Sequence, residues 1–96
     1  MNAPRERTKI IFDILKSIGE KDGLIKPTQL LSKANLSQKL MNAYLAELLA
    51  GNFIAEQSTD KGKVYSLKQR GREYIQRYHT IIEFLDLFGL SGDKDQ

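Results

Sequence analysis

Apolar residues recur along this chain with a helical period in four stretches and an extended period in two. Ile10, Ile11, Ile14, Leu15 and Ile18 fall on one helical face and predict an amphipathic helix over residues 8–18. Thr8 is its expected N-cap and Gly19 its expected stop. Residues 23–25 read as a short extended stretch. Pro27 suits a first helical turn, and Leu30 and Leu31 mark a second helix over residues 27–34. Asn35 tolerates the left-handed conformation that ends a helix, and Leu36 plugs the corner that follows. Ser37 then caps a third helix running to residue 50, with Met41, Tyr44, Leu45 and Leu48 as its buried stripe.

After Gly51-Asn52 the period changes. Residues 53–57 and 64–67 read as two strands, joined by a turn-rich polar loop over residues 58–63. A fourth helix is expected over residues 69–88. Three helices followed by a hairpin is the winged-helix order, with helices two and three as the helix-turn-helix and the hairpin as the wing. The expected fold class is therefore α+β, mainly α: a winged helix-turn-helix followed by a C-terminal dimerisation helix. Residues 1–7 are expected to be a flexible arm, 8–68 the winged-helix domain, 69–90 the dimerisation helix and 91–96 a disordered acidic tail.

Composition narrows the function. Ninety-six residues with 41% hydrophobic content suit one domain with a core. There is no Cys and one His, His79, so no thiol nucleophile, Cys-ligated metal or multi-His cluster is available. No phosphate-binding Gly-rich loop occurs, and the carboxylates Asp13, Glu20, Asp22, Glu47 and Glu56 are scattered. No enzyme activity, cofactor or metal is expected. No apolar run reaches the roughly 18 residues of a membrane span, and the N-terminal residues lack the uncharged core of a secretory signal. The expectation is a cytoplasmic protein without a membrane partner.

Net charge is only +3, but its distribution is uneven. Residues 60–72 carry five cations against one anion, and residues 80–96 carry four anions against one cation. A basic body with an acidic end suits a polyanion that avoids the C-terminus, and the winged-helix order makes double-stranded DNA the expected partner. On helix three, Gln38, Lys39, Asn42 and Ala43 lie on the arc opposite the buried stripe, near the end that usually meets base edges. Gln and Asn make paired hydrogen bonds to adenine, Lys reaches guanine or phosphate, and Ala permits close approach. Ser37 and the free N–H groups of the first turn suit a phosphate. These five residues are the candidate groove contacts. Lys26, Thr28, Gln29 and Lys33 on helix two, with Arg5 and Arg7 of the arm, are candidate phosphate contacts. Lys61, Gly62 and Lys63 form the basic wing tip, and Lys68 and Arg70 either extend it or begin helix four. Glu47 also lies on the outward arc and favours a second possibility, a winged-helix module that docks a protein within a larger assembly.

Helix four carries its own signal. Tyr74, Tyr78, Ile81, Leu85 and Phe88 repeat with a heptad spacing, flanked by Ile75 and Ile82 and widened by Phe84 and Leu87. A helix this apolar predicts a homodimer, with Tyr74, Tyr78, Ile81, Ile82, Leu85 and Phe88 between the chains and His79 beside the seam.

The residues Ser32-Lys33-Ala34-Asn35-Leu36-Ser37, Tyr44-Leu45, Leu48, Phe53-Ile54, Val64-Tyr65-Ser66-Leu67 and Arg70-Gly71-Arg72-Glu73-Tyr74-Ile75 resemble those of small archaeal winged-helix DNA-binding proteins. The resemblance covers about residues 8–90. It implies a long helix after the wing that pairs in an antiparallel coiled coil, and a role as transcriptional regulator or nucleoid-associated architectural protein. Two features depart from that pattern: Lys68 stands where many relatives carry Thr, and the C-terminal helix is short.

Overall fold

A computed structural model describes residues 4–88, with the side chains of residues 4–6 and 85 outside the description. The elements run α1 (Pro4–Glu20), α2 (Pro27–Ala34), α3 (Gln38–Ala50), β1 (Ile54–Thr59), β2 (Gly62–Leu67) and α4 (Gln69–Leu87). The expected order and the mainly helical α+β winged-helix class are both observed, with a fourth helix after the hairpin.

Local chemistry explains the boundaries. Pro27 is the first residue of α2, where a missing N–H costs nothing. The Gln29 side-chain oxygen accepts a hydrogen bond of 2.9 Å from the Lys26 backbone N–H, closing the first turn. At the other end Asn35 takes φ 55° and its N–H donates to the Leu31 carbonyl, so the chain leaves α2 in the left-handed region. Ser37 then accepts from the Leu40 N–H at 3.1 Å, capping α3 as its sequence demands.

Two boundaries differ from the sequence reading. α1 begins at Pro4, one turn before Thr8, so Thr8 lies inside the helix instead of capping it. Proline is well suited to a first helical turn, and the polar run that suggested an arm is helical from that point. The hairpin is also longer and its turn tighter than the pattern implied. β1 and β2 pair antiparallel from Ile54 opposite Leu67 to Thr59 opposite Gly62, leaving only Asp60-Lys61 as the turn. Gly62 takes φ 114°, a conformation open to glycine, and the Thr59 hydroxyl donates to the Gly62 carbonyl at 2.7 Å. Polar residues at an exposed hairpin tip carry no hydrophobic alternation, so the strand pattern fades before the strands do. The tail over residues 91–96 and the end of the expected C-terminal segment lie outside the described residues.

The core gathers buried residues from every element but α4, whose Tyr74 and Ile75 pack against it: Ile14, Leu15 and Ile18 of α1, Leu30 of α2, Met41, Tyr44, Leu45 and Leu48 of α3, Ile54 of β1 and Tyr65 of β2. Ile25, in the expected extended stretch, is fully buried and forms an antiparallel bridge with Tyr65. Burial of each such aliphatic side chain stabilises the fold by about 1.5–3 kcal/mol. α4 lies against α1: the Phe12 and Tyr78 rings stack at 4.3 Å, and the Tyr74 hydroxyl donates to the Thr8 carbonyl at 2.9 Å. Gly71 is buried where α4 starts, and a Cβ there would run into the Phe53 carbonyl. Glycine is what allows α4 to begin so close to the end of α3.

Candidate nucleic-acid interface

The α3 cap sets the site. With Ser37 holding the first turn, Gln38, Lys39, Asn42 and Ala43 are all exposed on one side, while Met41, Tyr44, Leu45 and Leu48 hold the other side in the core. The first turn of α3 contains no acid, so its N-terminal N–H groups and positive dipole end meet no carboxylate from that turn. The Gln38 side-chain amide donates to the Asn42 side-chain oxygen at 3.2 Å, so the two candidate base readers are oriented by each other. Among the described residues Lys39 and Lys61 have no side-chain ion pair or hydrogen bond. Leu40, on the same first turn, is 37% exposed. A large apolar residue off the polar arc carried no sequence signal for this face.

Other candidate cations have partners. Arg7 donates to the Glu47 carboxylate at 2.6 Å and lies 5.5 Å from the centre of the Tyr44 ring. The carboxylate holds the guanidinium above its ordinary pKa, by hydrogen bonding first and charge second. Lys33 pairs with Glu20 at 3.5 Å, and Lys63 with Glu56 at 3.7 Å. These are exposed, solvent-screened pairs, easily exchanged for a phosphate. The Gln29 side chain, by contrast, is engaged in capping its own helix. Thr28 is exposed and Lys26 half-buried at the N-terminus of α2. The Arg5 side chain lies outside the described residues.

The wing narrows to Lys61, Gly62 and Lys63. Lys68 occupies the N-cap position of α4 and reaches the Asn52 side chain at 3.4 Å. Arg70 lies in the first turn of α4, donates to the Gly51 carbonyl at 2.8 Å and covers the Phe53 ring at 4.8 Å. Both belong to the junction between α3 and α4, and the hairpin tip stands without them. The base of the wing is tied down by Tyr65, whose hydroxyl donates to Glu56 at 3.1 Å. Burial pushes the Tyr65 phenol up to about 12, and the hydrogen bond and charge of Glu56 add to it. Burial, followed by the neighbouring Tyr78, likewise pushes Tyr74 up to about 12, with Arg7 acting weakly the other way.

The expected dimer residues divide into two groups. Tyr74 and Tyr78 are half-buried against α1 within the chain. Ile81 and Phe88 are 56% and 60% exposed, as are Phe84 at 55% and Leu87 at 78%. Ile82 is half-buried, and the Leu85 side chain lies outside the described residues. Among the described residues the C-terminal half of α4 is therefore an uncovered apolar surface. The sequence period does not separate residues covered by α1 from residues that no described element covers. His79 is exposed with its ring edge-on to Phe12 at 5.1 Å. Among the described residues no helix is long and apolar enough to cross a membrane, and no three His, Cys, Asp or Glu residues gather as a metal site.

Comparison with known proteins places this geometry. A family model described as winged helix-turn-helix matches residues 4–86. An uncharacterized protein of Methanocaldococcus jannaschii is 31% identical over 81 residues, which is 84% of this chain and 36% of that protein. The chain thus spans about a third of the length of this curated relative. Among solved structures, Sso10a-2, a DNA-binding protein from Sulfolobus solfataricus, superposes with a TM-score of 0.70 at 17% identity, covering 91% of this chain and 88% of the other. TubR of Bacillus thuringiensis, bound to 24 bp of tubC, superposes with a TM-score of 0.64 at 18% identity, covering 79% and 88%. At these identities the likeness is one of fold.

Proposed function

The chain belongs to the winged helix-turn-helix family, and we propose from that premise that it binds double-stranded DNA as a homodimer. In this reading α3 enters the major groove, where Gln38, Lys39, Asn42 and Ala43 meet base edges. Ser37 and the first-turn N–H groups hold a phosphate beside them. Lys26, Thr28 and Lys33 of α2 face the backbone, and Lys61 and Lys63 of the wing hold the backbone or the minor groove. The biological role is that of a transcriptional regulator or a nucleoid-type architectural protein.

The observation that carries the proposal is the α3 arc: an exposed, acid-free, side-chain-capped first turn with two amides and a free lysine. The description of Sso10a-2 as DNA-binding and the duplex bound to TubR support it. Pairing of Glu47 with Arg7 removes much of the charge that favoured a protein-docking module. The dimer rests on Ile81, Phe84, Leu87 and Phe88, whose exposure on a soluble monomer would be costly.

The test is fluorescence anisotropy of the full chain with a random-sequence duplex across about 50–200 mM salt. Four to six phosphate contacts per protomer give a log–log slope of about −4 to −5. Absence of binding at the low-salt end would reject the DNA reading and leave the protein-docking module.

A further inference from the structure

The hydrogen bond between Gln38 and Asn42 has a direction, and the direction limits what Gln38 can read. The Gln38 side-chain nitrogen donates to the Asn42 side-chain oxygen at 3.2 Å. A Gln amide has two N–H hydrogens and one carbonyl oxygen. Asn42 takes one of the hydrogens. One donor and one acceptor, side by side, remain for a base, and both residues are exposed.

Base edges in the major groove differ in how they meet such a pair. Adenine sets the N7 acceptor beside the N6 donor and matches it. Guanine sets two acceptors, N7 and O6, side by side. Satisfying both takes two amide hydrogens, and one is already spent on Asn42. The Gln38 oxygen would then face a guanine acceptor with no hydrogen between them, which is unfavourable. Cytosine and thymine each use only one half of the pair.

A second feature points the same way. Leu40, on the first turn of α3, is 37% exposed, and Ala43 is exposed as well. Residues three positions apart on a helix are surface neighbours, so the two form a small apolar patch beside the amides. The thymine C5-methyl is the apolar group of the major groove, and a G·C pair has none. Resting on the DNA reading above, we propose that α3 discriminates A·T from G·C pairs. Gln38 pairs with adenine N6 and N7, Asn42 positions Gln38 and so excludes guanine, and Leu40 with Ala43 packs on thymine methyl groups. The chain therefore selects among sequences and does not bind every duplex alike.

The test titrates the full chain by fluorescence anisotropy against three duplexes of equal length and alternating sequence: A·T, G·C and inosine·C. Inosine·C has the minor groove of A·T and the major groove of G·C, so it assigns the groove that is read. The expected result is A·T bound on the order of 10-fold more tightly than either of the others, the scale of one bidentate contact. Replacing adenine by 7-deazaadenine, which lacks the N7 acceptor, weakens binding about 3- to 10-fold. Replacing thymine by uracil weakens it about 3-fold, the scale of one buried methyl. Gln38→Ala removes the response to 7-deazaadenine, and Leu40→Ala removes the response to uracil. Asn42→Ala returns the second hydrogen to Gln38 and so raises affinity for the G·C duplex, whereas a loss of helix structure lowers affinity for all three. Equal binding to A·T and G·C, inosine·C bound like A·T, indifference to both modified bases, or Asn42→Ala weakening every duplex alike overturns the proposal and leaves duplex binding standing. Absence of binding to all three overturns the DNA reading with it.

Discussion

Arg7 and Glu47 are 40 positions apart in sequence and meet at 2.6 Å, joining the first turns of α1 to the exposed face of α3. The pair neutralises the one acid on a helix that otherwise offers amides, a lysine and alanines. Removing the acid should therefore help DNA binding, and removing its partner should harm it. We expect Glu47→Gln to tighten duplex binding by roughly 2- to 5-fold at low salt and Arg7→Gln to weaken it similarly, the scale of one charge near phosphates. Gel-shift titration at two salt concentrations checks both, and unchanged affinity in both variants would place Glu47 away from the duplex.

The Gln38–Asn42 hydrogen bond makes these two residues a unit. Asn42→Ala or Gln38→Ala should alter sequence preference by about 1–3 kcal/mol at a contacted base. The double variant should show less than the sum of the two, because each single change also frees the other amide. Site selection from a randomised duplex pool measures this. An equal loss on every duplex would demote both residues to backbone contacts.

At the wing tip, changing Lys61 and Lys63 together to Ala should weaken binding to all sequences. The salt slope should become shallower by about 0.9 for each phosphate that is no longer neutralised. Lys63 is shared with Glu56, so Lys61, which has no such partner among the described residues, should account for the larger part. A slope identical to that of the parent chain would remove the wing from the interface.

In the proposed homodimer, changing Leu87 or Phe84 to Glu should separate the two chains, seen as a halved mass in sedimentation equilibrium. DNA affinity should fall with it, because the second half-site contact is no longer intramolecular. The core should survive, since both positions are exposed. A variant that becomes monomeric yet binds DNA as before would give the dimer another purpose.

Tyr65 and Tyr74 have phenols pushed up to about 12, so the folded chain favours their neutral forms. Their contribution to stability is complete below about pH 10, the ordinary phenol value. It is lost as pH rises from about 10 through about 12. Tyrosinate absorbance followed with circular dichroism should show these two ionising late, together with unfolding. Tyr65→Phe keeps the ring but removes the donor to Glu56, and should shift that alkaline loss to higher pH.

Much of the architecture was legible because helices and caps are written locally. Pro27, Asn35 and Ser37 each fix a backbone conformation by their own chemistry, so α2, its corner and α3 fall where the sequence places them. α4 likewise matches its expected span within one residue at its end. The start of α1 was not legible, since a polar run beginning with Pro4 satisfies a helix and an arm equally well. The hairpin extended past its apolar pattern because backbone pairing needs no side-chain alternation.

Element order, the buried stripe of each helix and the polar arc of α3 are written in the order of the residues, all consequences of periods of 3.6 and 2 residues. Which charges remain free and which apolar residues remain uncovered was settled only when the elements packed together. Arg7 found Glu47, Arg70 found Gly51, and Tyr74 and Tyr78 found α1, while Phe84 and Leu87 met no covering element among the described residues. The difference is one of range: a helical period needs neighbours a few positions away, whereas these pairings depend on how whole elements cross in space.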